Sequence, residues 1–503
     1  MANALGLWML GLLALLIVLT GLPVWALLIG VASAFAAGGV ISGAFSASVL
    51  AAMPSRLLGL LEHDLLQALP LYALIGVLLQ RLLLAKVIAG TLARALAITG
   101  AGPALAALGM GALLAPMNGS VASSSATLSS AIAEQLQHVP PARAVALLGA
   151  CATIGVVFPP SLVLILLGDA MLRAHTEASN SHNLALQGQR ILNTQDVFHA
   201  ALLPALMVLV LWSLVTWWQG RLQEEKRAVE HIEPAHIAIT LIVIAVLLML
   251  LGAIFSGRMF AVEAAATGAV LLCVGAVASR ALRPADWSQV FAQTLALSGA
   301  LFALLLGAST FSLVFRLWGT DVWFAQQVMA SPLPPMATAA LVLIAVALCA
   351  WVLDAFEMIF VVVPIVAPLL IVQTGDAAQV AVLLLLVLQT SFLIPPMGYA
   401  VLMARAQAPW REVDTQRVMV ALAPYVLAQC AVIALVFAAP RWVHLLDNAP
   451  DATTRNDVPS DAEITLQLQN MVPPQREDDT QSDAVSSAPA PNISEAASAA
   501  KPR

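Results

Sequence analysis

Leu388-Gln-Thr-Ser-Phe-Leu-Ile-Pro-Pro-Met-Gly-Tyr-Ala-Val-Leu-Met-Ala404 lies inside an uncharged run, residues 377–404, long enough to cross a bilayer. Pro395 and Pro396 stand near its middle, with Gly398 just beyond. Each proline lacks an amide donor and clashes with the carbonyl four residues back, here those of Ser391 and Phe392. No helix runs through this point unbroken. In hydrocarbon, non-helical backbone is tolerated only where it faces protein, water or an ion. The chain repeats the feature in Gly155-Val-Val-Phe-Pro-Pro-Ser-Leu-Val-Leu-Ile-Leu-Leu-Gly168, where Pro159 and Pro160 sit mid-span. Paired interrupted spans in two halves of one membrane chain point to a transporter's binding site.

Composition agrees. The 503 residues are 61% hydrophobic and 10% charged, which a soluble fold could not accommodate; the expected class is an all-α polytopic membrane protein. Of the net charge of −6, the stretch from Arg441 onward carries −5, so the membrane part is nearly neutral and nothing suggests a nucleic-acid partner. Cys151, Cys273, Cys349 and Cys430 each stand alone in an apolar segment, with no disulfide framework and no Cys-x-x-Cys metal pattern. There is no His-Glu-x-x-His zinc pattern and no phosphate loop, so neither an enzyme nor ATP hydrolysis is expected. No cofactor is expected beyond coupling ions.

Outward from the two breaks, the pattern is one of spans and fold-backs. Residues 5–37 are interrupted at Gly21-Leu22-Pro23 and read as two spans or a kinked pair; 45–64, with Arg56, Glu62 and His63, reads as an interfacial helix. Residues 95–133 hold 39 positions without a charge, more than one crossing needs. The polar break Pro116-Met117-Asn118-Gly119-Ser120 resolves the excess as a re-entrant hairpin, with Ser123 and Thr127 on its returning arm. In the second half, 336–353 reads as a span and 354–375, with Asp354, Glu357, Pro364 and Pro368, as a second hairpin. Asn118 to Pro159 and Asp354 to Pro395 are both 41 residues apart. That spacing fits a parallel or an inverted repeat; the hairpin-then-broken-span order in both halves favours the inverted one. The whole amounts to about 11–12 transmembrane helices. The expected organisation is 1–100 scaffold helices, 101–172 first repeat of a transport domain, 173–350 loop, connector and scaffold, 351–406 second repeat, 407–441 last helix, and 442–503 an acidic disordered tail.

The candidate ion and substrate ligands follow from these breaks. Broken helices offer carbonyl oxygens, here around Gly155, Val156, Ser391 and Phe392, which suit a hard cation. Side-chain oxygens of Asn118, Ser120, Ser123, Thr127, Ser161, Thr390 and Ser391 join them, with Gly119, Pro159, Pro160, Pro395, Pro396 and Gly398 shaping the backbone. The serines also fit a plainer role as small residues that let helices approach. Asp354 and Glu357, spaced i, i+3, share a helix face. Carboxylates in a membrane segment are functional by default, although at a span boundary they can simply be wet.

Several stretches together resemble a known family. They are Ala68-Leu-Pro-Leu-Tyr-Ala-Leu-Ile-Gly76, Asn118-Gly-Ser120, Val157-Phe-Pro-Pro-Ser161, Val262-Glu-Ala-Ala-Ala266, Phe311-Ser-Leu-Val-Phe315, Leu353-Asp-Ala-Phe-Glu357 and Gln389-Thr-Ser-Phe-Leu-Ile-Pro-Pro-Met-Gly398. In this order they resemble the large membrane subunit of TRAP (tripartite ATP-independent periplasmic) transporters, of the ion-transporter superfamily, and most closely its mannitol/chloroaromatic-type subclass. The resemblance implies a sodium-coupled symporter of the bacterial inner membrane that imports a small organic acid by an elevator movement. It also implies two protein partners, a periplasmic solute-binding protein and a small four-helix membrane subunit. A self-sufficient ion-coupled symporter of the same superfamily is the alternative. Asn118 departs from the Ser or Thr usual in the family, and His138-Val-Pro-Pro141 replaces its usual turn after the first hairpin.

Overall fold

The computed structural model describes residues 5–46, 48, 51, 53–55, 58, 67–82, 84–114, 121–159, 161–181, 192–222, 234–351, 353–394, 398–406 and 413–446. Among these, every regular element is helical. Helices α1 (Leu5–Thr20) and α2 (Val24–Ile41) are two separate elements, parted where Gly21 takes a positive φ of 61° and Pro23 cannot continue a helix. Helices α3 (Ala68–Arg81) and α4 (Leu84–Ala95) meet at a bend of 69°. Helices α5 (Gly102–Leu114) and α6 (Val121–Ile132) are the arms of the first expected hairpin. Its tip, with Asn118, Gly119 and Ser120, lies outside the described residues, as does most of the expected interfacial helix.

The first Pro-Pro site breaks its span as expected. Helix α7 (Pro141–Val157) ends just before Pro159, and α8 (Leu162–Ser181) sets off at 41° to it. Then come α9 (Thr194–Leu222), α10 (Pro234–Phe255), α11 (Ala261–Ala278), α12 (Pro284–Leu317) and the short α13 (Thr320–Met329). Helix α14 (Pro335–Cys349) leads to α15 (Ala355–Thr374), then α16 (Ala377–Ser391), α17 (Tyr399–Ala406) and α18 (Thr415–Ala438). Among the described residues seven helices are long and apolar enough to cross a membrane, or nine if each bent pair is one span. Among the described residues the further apolar helices α1, α5, α14 and α16 are too short to count alone; α5 is an arm of the first expected hairpin and α16 a half-span.

The second fold-back lies N-terminal to its expected place. Residues 355–374 do not turn back on themselves; they form one helix, and the reversal falls between α14 and α15, which pack together. Pro368 lies inside the helix without interrupting it, and Pro364 fails to break it for a local reason. A π-helical turn at Met358–Val362 precedes them, and Pro364 sits in the first turn of the α-helical stretch that follows, where its missing N–H matters least.

Burial sorts the helices into an interior and a rim. Helix α16 is buried at all 15 positions and α7 at every position from Arg143 to Val157. These are the N-terminal halves of the two broken spans. By contrast only 17% of α10 and 28% of α11 is enclosed, and both present apolar side chains outward, as lipid-facing helices must. Helix α7 is rich in Ala and Gly, and small residues let membrane helices approach closely. At Gly111 of α5, an added Cβ would stand 2.9 Å from the Cys151 carbonyl oxygen of α7. On the rim, α12 packs along α2 at Gly307, where a Cβ would stand 2.9 Å from the Trp25 carbonyl oxygen.

Candidate functional site

At the first break, Pro159 removes the donor that would have paired with the Gly155 carbonyl. Ser161 replaces it: its hydroxyl donates to Gly155 O at 2.5 Å and accepts the Val163 amide at 3.2 Å. One side chain thus closes the end of α7 and caps the start of α8. A carbonyl oxygen has two lone pairs, so Gly155 retains one acceptor site.

The second break is closed by backbone instead. The Phe392 carbonyl, deprived of a partner by Pro396, accepts the Ala400 amide at 3.0 Å from beyond the gap. The Thr390 carbonyl takes both the Leu393 and Ile394 amides, at 3.0 and 3.2 Å, which tightens the last turn of α16. Gly398 re-enters the chain at a φ of 44°, a conformation that favours glycine. The hydroxyls of Thr390 and Ser391 donate to Leu386 O and Val387 O at 2.7 and 2.8 Å, so their oxygens offer lone pairs but no proton. Pro160, Pro395 and Pro396 themselves lie outside the described residues.

On the returning arm of the first hairpin, Ser123 accepts the Gln80 amide of α3 at 2.9 Å, and Thr127 donates back to the Ser123 carbonyl at 2.9 Å. Ser125 between them is fully buried, and its hydroxyl has no hydrogen-bond partner among the described residues. The arm packs on α7 and α17. Helices α7 and α17 touch at Gly149, where Val401 Cγ2 lies 3.4 Å from the place a Cβ would take. Halves of the two broken spans are therefore direct neighbours.

The second hairpin supplies the acidic groups. Asp354 is the residue before α15, and its amide donates to Glu357 Oε2 at 3.0 Å. Glu357 is buried, 7% exposed, while Asp354 Oδ1 is enclosed with no partner among the described residues. Both carboxylates line a cavity of about 240 Å³ together with Phe356, Leu162, Trp25 and Leu301. Leu162 follows Ser161 at the first break, while Trp25 and Leu301 belong to the rim helices α2 and α12. Tyr399, the first residue after the second break, stands in electrostatic reach of both Asp354 and Glu357.

Of the residues expected from sequence, the structure brings Asp354 and Glu357 to one cavity and sets it beside Ser161 through the neighbouring Leu162; Thr390, Ser391 and Gly398 do not line it. Ser123 and Thr127 do not line it. Tyr399, Trp25 and Phe356 are additions that the sequence reading passed over. Tyr399 carried a signal, since it is one of only three tyrosines and follows directly on Gly398. The aromatics of the rim carried none, because any apolar span holds such residues. Glu263, another carboxylate in an apolar stretch, is occupied locally: it accepts the Phe260 amide at 2.9 Å at the start of its own helix.

Two comparisons bear on this arrangement. The family described as tripartite ATP-independent periplasmic transporter, DctM component, matches residues 10–442. Among solved structures, the chain is similar to the YdaH transporter of Alcanivorax borkumensis, at a TM-score of 0.54 and 15% identity, over 79% of this chain and 89% of that one. That likeness is one of fold. No curated protein matches the chain.

Proposed function

The chain belongs to the DctM-component family of tripartite ATP-independent periplasmic transporters, and from that premise we propose that this large permease component imports a small solute by sodium symport. The observation that carries the reading is the meeting of the first break, through Leu162, with the acidic hairpin start at one cavity, between interior and rim helices. Sodium is assigned to the breaks and hairpin tips. There the Gly155 carbonyl keeps a lone pair, and the Thr390 and Ser391 hydroxyls point their hydrogens at carbonyls, which leaves their oxygen lone pairs available. The C-terminal ends of α7 and α16 add negative dipole ends that favour a cation.

The solute is assigned to the cavity. Its walls come from two helix groups, so displacement of the interior group along the rim would carry a bound solute with it, as an elevator movement requires. In this reading a periplasmic binding protein delivers the solute and a small four-helix membrane subunit flanks the rim, in the bacterial inner membrane.

Uptake into proteoliposomes tests the proposal, with both partners present and the sodium gradient imposed or collapsed. Uptake indifferent to sodium would refute the coupling. Uptake undiminished without the binding protein would replace the tripartite reading by that of a self-sufficient symporter.

A further inference from the structure

The turn between the rim helices α11 and α12 carries Arg280 and Arg283. Among the described residues Arg280 is the one non-glycine in the left-handed region, at a φ of 52°. Around it the Ala281 amide reaches back to the Ala276 carbonyl at 3.1 Å, a helix ending at which glycine is the usual residue. A cation suits a helix C-terminus through the dipole, but the preceding Ser279, at a φ of −78°, would hold one there without strain. Capping alone does not account for an arginine at the strained position.

Both arginines are exposed, and neither side chain pairs with a carboxylate among the described residues. The adjacent Asp286 accepts the Arg283 amide at 2.9 Å. Helix α3 ends against the same turn. Leu82 shares an apolar cluster with Leu282 and Trp287, and Arg81 donates to Gln289 of α12 at 2.9 Å. Helix α4 follows directly with Lys86, paired to Glu134, and Arg94. The other end of α11 has only Arg258 set against Glu263. An excess of positive charge at one membrane surface marks the cytoplasmic side, whose leaflet is anionic. Behind the turn, Val270, Val274 and Val277 of α11 are more than half exposed, as are Phe291 and Leu295 of α12. Each set lies on one helix face by its spacing. A guanidinium pair crowning two lipid-facing apolar stripes matches a phosphodiester headgroup above and acyl chains below; a soluble anion would leave the stripes unused.

We infer that the α11–α12 turn docks the headgroup of an anionic phospholipid, with Arg280 and Arg283 holding its phosphate.

The test uses the purified full chain in nanodiscs of phosphatidylcholine, with or without one part in about three of phosphatidylglycerol. Thermal denaturation is followed at low and high salt, with inorganic phosphate added in a parallel series. Phosphatidylglycerol is expected to raise the midpoint by several degrees at low salt and less at high salt, and inorganic phosphate not to reproduce the rise. Arg280→Gly relieves the backbone, so in phosphatidylcholine it should be at least as stable as the parent, yet it should lose half or more of the rise. Arg283→Gln should lose a similar share, and carries the comparison if Arg280→Gly does not fold. Arg258→Gln, at the far end of α11, should keep the rise in full. No rise in the parent chain, or an undiminished rise in Arg280→Gly and Arg283→Gln, overturns the inference. So does an equal rise with inorganic phosphate, which would make this a free-anion site, or an equal loss in Arg258→Gln, which would reduce it to general surface charge. Loss of the rise once the small membrane subunit is added would give the turn to that protein and overturn the inference as well.

Discussion

Across the Pro159 break, the Ser161 hydroxyl donates to the Gly155 carbonyl at 2.5 Å, the carbonyl that the proline leaves without its helical donor. The same oxygen accepts the amide of Val163 at 3.2 Å, so one small side chain joins the end of α7 to the start of α8. The break is held in a defined shape by this residue, in a site fully enclosed by protein. Any ion at the Gly155 carbonyl would share that oxygen with Ser161.

Ser161→Ala removes the bridge and leaves a buried carbonyl and amide each short of a partner. Leaving a buried polar group unsatisfied costs about 1–3 kcal/mol, so the variant should denature at a lower temperature. Stabilisation by sodium should weaken along with it, whereas Ser161→Thr, which keeps the hydroxyl, should retain both. Thermal denaturation with and without sodium makes the comparison. Wild-type behaviour of Ser161→Ala would mean that the hydroxyl does not shape the break.

Pro395→Ala combined with Pro396→Ala should restore donors to the Ser391 and Phe392 carbonyls and let a regular helix form. The Ala400 amide, now bonded to Phe392 O at 3.0 Å, would be displaced. Helix propensity improves, yet sodium affinity should fall further than on loss of either the Thr390 or the Ser391 hydroxyl, because several oxygens are redirected together. Sodium-dependent uptake by correctly inserted protein is the measure. Unchanged sodium affinity would remove the second break from the ion site.

Cysteines placed at Ala95 and Ala133, in a background lacking Cys151, Cys273, Cys349 and Cys430, should react with an impermeant reagent from the same side of the membrane. The short helices α5 and α6 between them, of 13 and 12 residues, fit an entry and a return but not a crossing each. Labelling from opposite faces would show a single crossing.

Arg316 of the rim helix α12 pairs with Glu177 of α8 at 2.8 Å, with both side chains more than a third exposed. A pair this exposed contributes about 0–1 kcal/mol, so Glu177→Gln should scarcely move the denaturation midpoint. It does tie an interior half-span to the rim. If the interior group moves along the rim during transport, neutralising the pair should raise the initial rate of uptake, most at low salt where screening is weakest. An unchanged rate across salt concentrations would mean that the tie is not broken during transport.

The two breaks were legible in the sequence because proline acts locally. Its missing donor and its ring forbid a continuous helix whatever surrounds it, so Pro159-Pro160 and Pro395-Pro396 announce interruptions from their chemistry alone. The division into many apolar spans was legible for a similarly direct reason, the length of uncharged runs against bilayer thickness. Pro364 and Pro368 mark the limit of that reasoning. They look like breaks, but Pro364 falls in the first turn after the π turn at Met358–Val362, Pro368 lies within the helix, and α15 runs on to Thr374. Whether a turn closes by i+4 or i+5 bonding depends on what packs against it.

Tertiary structure alone decided which helices are interior and which face lipid. Lipid and protein interior accept the same apolar side chains, so length and apolarity alone do not separate the enclosed α7 from the exposed α10, although the small residues of α7 suit close packing. It also decided that Asp354 and Glu357 face a cavity, that Tyr399 stands near them, and that Trp25 and Leu301 form the opposite wall. Those residues lie hundreds of positions apart in places. No local rule links them, because what joins them is the packing of a broken span against helices whose own sequence requires only that they be apolar.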